Sequence, residues 1–191
     1  DAGGQQIASH IAVADPLNGG FLLVNMHGML FHADTADIAE DVAYARWLGG
    51  SVIRVFATDS NGVHRWDGVH VGTRIAEIAP MLRAAHLRMI VALVNNHQAV
   101  PGELPESAGW LDNYMQLLLP FYTANWRGAY LQFMRDVVST VQSYNAQDVV
   151  FAWELGNELH TPQQPDALIP FITGASAALR ALDPVTPILP G

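Results

Sequence analysis

The run Phe151-Ala152-Trp153-Glu154-Leu155-Gly156-Asn157-Glu158-Leu159 passes from apolar residues to a small residue, an amide and a carboxylate. A parallel strand of an α/β fold is apolar on both faces, and such folds carry their reactive groups where the strands end. Read that way, the run is a buried strand that delivers Asn157 and Glu158 to its carboxyl end. An amide there can hydrogen-bond a sugar hydroxyl, and a carboxyl group can protonate a glycosidic oxygen. An Asn-Glu pair alone is a short signal, and most such pairs end a strand in a polar turn and do nothing more. The surrounding residues decide between the two.

Two charges stand inside apolar runs. Arg54 is flanked by Val52, Ile53, Val55 and Phe56. Alternation along 148–155 puts Ala152, Glu154, Gly156 and Glu158 on one face and Phe151, Trp153 and Leu155 on the other. The bulky apolar set should meet helices, so Glu154 should point away from them, beneath Glu158. A buried charge needs a partner, and Arg54 with Glu154 reads either as a structural ion pair or as support for the reactive groups. His27 and His32 flank the end of the first strand, His97 that of the third, and His160 lies two residues after Glu158. None has the H-x-x-x-H or H-E-x-x-H spacing of a helical metal site, so a sugar hydrogen bond or an ordinary rim position fits them better, and no cofactor is expected. Trp66, Trp110 and Tyr114 fall in strand-end loops, where a ring either stacks on a pyranose or simply packs. Trp47 and Trp153 read as core. The loop carboxylates Asp59, Glu103 and Glu106 lack supporting context, and Asn61-Gly62 and Asp67-Gly68 read as turns.

The elements that must position these groups alternate. Strands are expected over 21–26, 51–57, 88–94, 148–155 and 185–189, and helices over 35–48, 73–86, 111–118, 129–144 and 166–182. Thr35 or Asp37 caps the first helix and Gly49-Gly50 stops it, while Pro80 is an interior irregularity of the second. The turn cluster Asp15-Pro16-Leu17-Asn18-Gly19-Gly20 would join 6–13 and 21–26 as a hairpin. Residues 95–124, rich in Pro, Gly and aromatics, read as a binding loop with one short helix. This is the pattern of a parallel α/β fold in a single domain over 1–191.

Half of the 191 residues are hydrophobic, enough for a sizeable core. A net charge of -9 argues against nucleic acid and anionic membrane as partners but suits a neutral polysaccharide. The absence of cysteine excludes thiol chemistry and disulfides. No apolar run is long enough for a membrane span. The start at Asp1 instead of Met suggests a processed or excised segment.

Arg88-Met89-Ile90-Val91-Ala92-Leu93-Val94-Asn95-Asn96, then Phe121-Tyr122-Thr123, then F-A-W-E-L-G-N-E-L together resemble glycoside hydrolase family 5, most closely its β-mannanase-like members. In that family a strand ending N-N-W precedes a loop with an "FYT"-like turn, and a long helix leads to a "WELGNEP" strand that carries the acid/base. The resemblance runs from about residue 21 to residue 191. It departs at Leu159, His160 and His97, where the family tends to have Pro, Arg and Trp, which leaves the sugar and the linkage open. The resemblance implies β/α units of the TIM-barrel type. About five of the eight strands would fall within this chain, because a complete barrel takes about 250 residues. It also implies a retaining, secreted hydrolase of β-linked polysaccharide of mannan or cellulose type. Glu158 would be the acid/base, expected to be partly buried. Arg54, Asn95, Asn96, His97, Asn157, His160, Trp66 and Trp110 would meet the substrate. The family's nucleophile comes from the seventh strand. It is therefore expected from outside this chain, through a complementary carboxyl-terminal barrel segment or self-association. The alternative is a non-catalytic half-barrel serving as a carbohydrate-binding or structural assembly subunit.

Overall fold

β-Branched apolar runs form strands here, and the runs between them that bury one face form helices. The structure, a computed structural model, describes residues 22–32, 34–58, 67–95, 112–161 and 164–191, of which 112–117 are described by their backbone. Among these, β1 (Leu23–Asn25), β2 (Val52–Phe56), β3 (Arg88–Ala92), β4 (Val150–Glu154) and β5 (Ile188–Leu189) form one sheet in the order β1-β2-β3-β4-β5, each pair parallel. The helices α1 (Thr35–Trp47), α2 (Gly68–Ala84), α3 (Asp112–Thr123), α4 (Ala129–Ser143) and α5 (Leu168–Leu182) lie between successive strands in the chain. This is the expected α/β class, and the sequential order is compatible with a partial barrel. Every expected strand forms and every one is shorter than expected. The 148–155 run gives up its start to a 3₁₀ turn over Gln147–Val149. The partner strand expected over 6–13 lies outside the described residues.

The two faces of the sheet differ in kind. Ile53, Val55, Met89, Val91, Trp153 and Leu155 share one hydrophobic cluster with the buried residues of the helices. Val52, Ile90 and Ala152, on the face away from the helices, form a separate small cluster with Phe151 and Leu189 packed against it. This inner face is the one on which Arg54 and Glu154 stand. Phe151 corrects the simple alternation, which had put it on the helix side. The register between β3 and β4 shifts between Met89 and Ile90, pairing Met89 with Val150 but Ile90 with Ala152, so the extra residue Phe151 joins the inner face. There the Arg88 guanidinium lies 4.7 Å from its ring centre.

Several local expectations are also corrected. Asp34 caps α1, its side chain accepting from the Ala36 N–H at 2.8 Å. Trp47 is not core but 61% exposed, because the buried stripe of α1 is Ile38, Val42 and Ala45; its ring stacks on Tyr44. Asp67 is a helix cap and not a bare turn: its carboxylate accepts from the His70 N–H at 2.9 Å and α2 begins at Gly68. Gly68 and Gly72 let α2 approach α4 closely, since a Cβ at Gly72 would lie 2.5 Å from Thr140 Cβ. Phe121-Tyr122-Thr123 closes α3 and is not a loop turn; Phe121 and Tyr122 are buried. With Trp126, Tyr130 and Phe171 they form an aromatic cluster of edge and tilted contacts under the end of β4.

Two polar ties hold β4 in place. The Tyr130 hydroxyl donates to the Leu155 carbonyl at 2.9 Å, and burial pushes that phenol far above its ordinary range. Trp153 Nε1 donates to Asp183 at 2.9 Å, while the other Asp183 oxygen accepts from the Val185 and Thr186 N–H groups. Burial alone would raise the Asp183 pKa, but the hydrogen bonds from Thr186 and Trp153 outweigh it, so the carboxyl lies below the usual range. A carboxyl depressed in the folded state contributes stability above its unfolded pKa, and that contribution is lost as pH falls through the folded value. Asp183→Asn should therefore destabilise the chain at pH 7, by about 1–3 kcal/mol. The gap to the parent in thermal unfolding should close progressively once the pH falls below about 4. A gap unchanged between pH 7 and pH 3 would contradict it.

Candidate active site

The inner face carries an ion pair that spans three strands. Arg54 on β2 reaches past β3 to Glu154 on β4, with Nε donating to one carboxylate oxygen at 2.7 Å and Nη2 donating to the other. Residues Phe56, Ala92 and Glu154 lie side by side in register, so the residue of β3 level with the carboxylate carries only a methyl group. The side chains are 16% and 6% exposed, so the pair is largely removed from water. The Arg54 guanidinium also lies 5.0 Å from the centre of the Phe56 ring, a cation–π contact. Arg54 and Glu154 thus form the ion pair that one reading of the sequence expected, largely removed from water, and Arg54 also holds a rim residue.

That residue is Asn157. Nη2 of Arg54 donates to Asn157 Oδ1 at 2.9 Å, and Asn157 Nδ2 donates to Asn95 Oδ1 at 3.1 Å. Main-chain pairing continues past the strands to bring them level: Asn157 N–H donates to the Val94 carbonyl at 2.8 Å, and Asn95 and Asn157 form an isolated parallel bridge. Gly156 makes this approach possible. A Cβ there would lie 2.7 Å from Val94 Cγ2 and 2.7 Å from Leu159 Cδ2.

Glu158 follows with φ +52°. The other described non-glycine residues at positive φ, His86 and Asn145, lie just past the ends of α2 and α4, where a left-handed residue is a usual helix terminator. Glu158 ends no helix, so its backbone carries strain of about 1–3 kcal/mol without a capping role. Such strain is characteristic of functional positions. Glu158 is exposed, where partial burial was expected. His160 Nδ1 lies 3.2 Å from the Glu158 carbonyl; a carbonyl only accepts, so Nδ1 carries the proton and holds the turn.

The structure therefore brings Arg54, Asn95, Asn157, Glu158 and His160 to the carboxyl ends of β2, β3 and β4. Asn96, His97, Trp66 and Trp110 lie outside the described residues, as do Asp59, Glu103 and Glu106. His32 pairs with Asp41 of α1 at 3.0 Å, and the His27 ring lies 5.7 Å from that of Phe56. Among the described residues no three His, Asp or Glu side chains stand close enough to hold a metal ion. The role of Phe56 was missed, although period two from Arg54 places it on the same face. No protein-family model matches the chain, and no curated protein matches it closely enough to count as a relative.

Removing one member of a buried pair strands the other charge. Glu154→Ala should therefore destabilise the fold by about 3–5 kcal/mol, whereas Arg54→Met with Glu154→Leu should cost far less than the sum of the two single changes. Urea unfolding of the single and double variants checks this. Strict additivity would contradict it.

Proposed function

We propose that the chain contributes the acid/base half of a retaining glycoside hydrolase centre, of the family 5 type, acting on β-linked polysaccharide of mannan or cellulose type. The observation that carries the reading is the Asn157 amide, oriented at the rim by Arg54 and Asn95 immediately before the left-handed turn at Glu158. Glu158 would protonate the leaving glycosidic oxygen and later deprotonate the attacking water. Asn157 would hydrogen-bond a ring hydroxyl of the sugar that is cleaved. His160, next to Glu158, would complete the polar rim.

A retaining mechanism needs a second carboxylate about 5 Å from the first, as nucleophile. Glu154 does not serve, since its side chain is only 6% exposed beneath the rim, with its two oxygens taken up by a bidentate pair with Arg54. The nucleophile would come from outside the chain. Nη1 of Arg54 makes no hydrogen bond among the described residues, which supports this: an incoming carboxylate beside Arg54 would find a charged donor. The reading is secretory in kind, as expected for an enzyme of insoluble polysaccharide.

A second reading is a half-barrel acting as a carbohydrate-binding or assembly subunit, and the edges of the sheet favour it. β1 and β5 each pair on one side only among the described residues, and beside β5 an open groove of about 510 Å³ is lined by Ile172, Ser176, Ala177, Arg180, Ile188 and Pro190. An unpaired edge of this kind invites another β/α unit, from a complementary segment or a second copy.

The two readings part on one assay. The isolated monomer should bind cellohexaose or mannohexaose without cleaving it, and hydrolysis should appear only when a complementary segment or second copy completes the sheet. Glu158→Gln should then lower the rate by about 10²–10⁴. Full activity with Glu158→Gln would contradict the acid/base role, and binding without cleavage in every assembled state would favour the second reading.

A further inference from the structure

Glu154 lies beneath the rim, its side chain 6% exposed and each of its oxygens accepting from Arg54. Its effect on the rim is indirect and follows from hydrogen-bond polarity. A guanidinium only donates, so the Asn157 atom that faces Arg54 must be the amide oxygen. The amide nitrogen is thereby turned to Asn95, which meets it with its oxygen. Nδ2 has two N–H bonds and spends one on Asn95; among the described residues the other has no acceptor.

We infer that Glu154 is a positioning residue: by clamping Arg54 it locks the Asn157 amide with its N–H bonds toward Asn95 and the rim, so that the site offers a ligand oxygen a donor at this position and never an acceptor. An Asn amide has two orientations of nearly the same shape, related by a half-turn about its last bond. Only a neighbour of fixed polarity chooses between them, and Arg54 can play that part only while it is itself immobile. Two parallel bonds from a planar fork to a carboxylate are the most directional arrangement available for that purpose. Phe56, against the guanidinium, closes off one of its faces. The inference rests on the proposed sugar reading only for the identity of the ligand; the locking of the amide is independent of it.

The experiment observes the amide itself. In the full chain labelled with ¹⁵N, the side-chain NH₂ resonances of Asn95 and Asn157 are assigned through Asn95→Asp and Asn157→Asp. Their hydrogen exchange and the Asn157 to Asn95 cross-relaxation are then compared between parent and Glu154→Gln. Exchange of the Asn157 pair is expected to accelerate about tenfold or more, with loss of the contact to Asn95, as one hydrogen bond is released. Should Glu154→Gln fail to fold, Glu154→Asp keeps the charge, shortens the clamp by one methylene and should loosen the same amide. Cellohexaose and mannohexaose affinities are measured alongside and should fall about tenfold in the variant. An Asn157 amide unchanged in a folded Glu154 variant overturns the inference, even where sugars bind. If the parent binds neither hexasaccharide while the amide still responds to residue 154, the carbohydrate reading fails and the positioning role stands.

Discussion

The charge pair between Arg54 and Glu154 is the constraint around which the inner face is built. Two opposite charges in a largely water-excluded layer must be joined, because either one alone would cost several kcal/mol of lost hydration. Joining them across an intervening strand requires that the strand present a small side chain at the level of the carboxylate, and Ala92 does so. It also ties β2 to β4, which share no main-chain pairing. The pair therefore fixes the relative height of the strands whose ends form the rim, and the rim inherits that precision.

A second layer of constraint comes from the helix side. Tyr130 and Asp183 hold the backbone and the indole of the β4 segment at successive positions, Leu155 and Trp153, while Glu154 between them faces the other way. The strand that leads to Asn157 and Glu158 is thus gripped on both faces. Immediately beyond it, Gly156 permits close approach to Val94, and the chain then turns through the left-handed conformation of Glu158. Rigid support followed at once by a strained turn is how a fold places a carboxyl group where unstrained backbone would not put it.

Much of this was legible in the residues themselves. The strands were, because β-branched apolar runs bounded by polar turns have few other uses, and so was the need of Arg54 for an acidic partner, because it stands in an apolar run. What escaped depended on neighbours distant in the chain. The side of the sheet taken by Phe151 follows from a register shift against β3, which no pattern within β4 encodes. Trp47 was misread because bulk and apolarity do not say which side of a helix meets the core. The close of α3 at Phe121-Tyr122-Thr123 was missed because the family resemblance read those residues as a loop turn, whereas the helix continues through Pro120 to Thr123. The orientation of the Asn157 amide depends on three strand ends at once. Its residue type was visible; its polarity toward a ligand was not.

The central claim is that the rim of β4 engages a sugar through Asn157 and Glu158. A crystal structure of the chain with cellohexaose or mannohexaose bound tests it most directly. The account predicts a sugar hydroxyl oxygen within hydrogen-bond distance of Asn157 Nδ2 and a glycosidic oxygen within hydrogen-bond distance of the Glu158 carboxyl group. A saccharide bound elsewhere on the chain, with both groups left untouched, would contradict it.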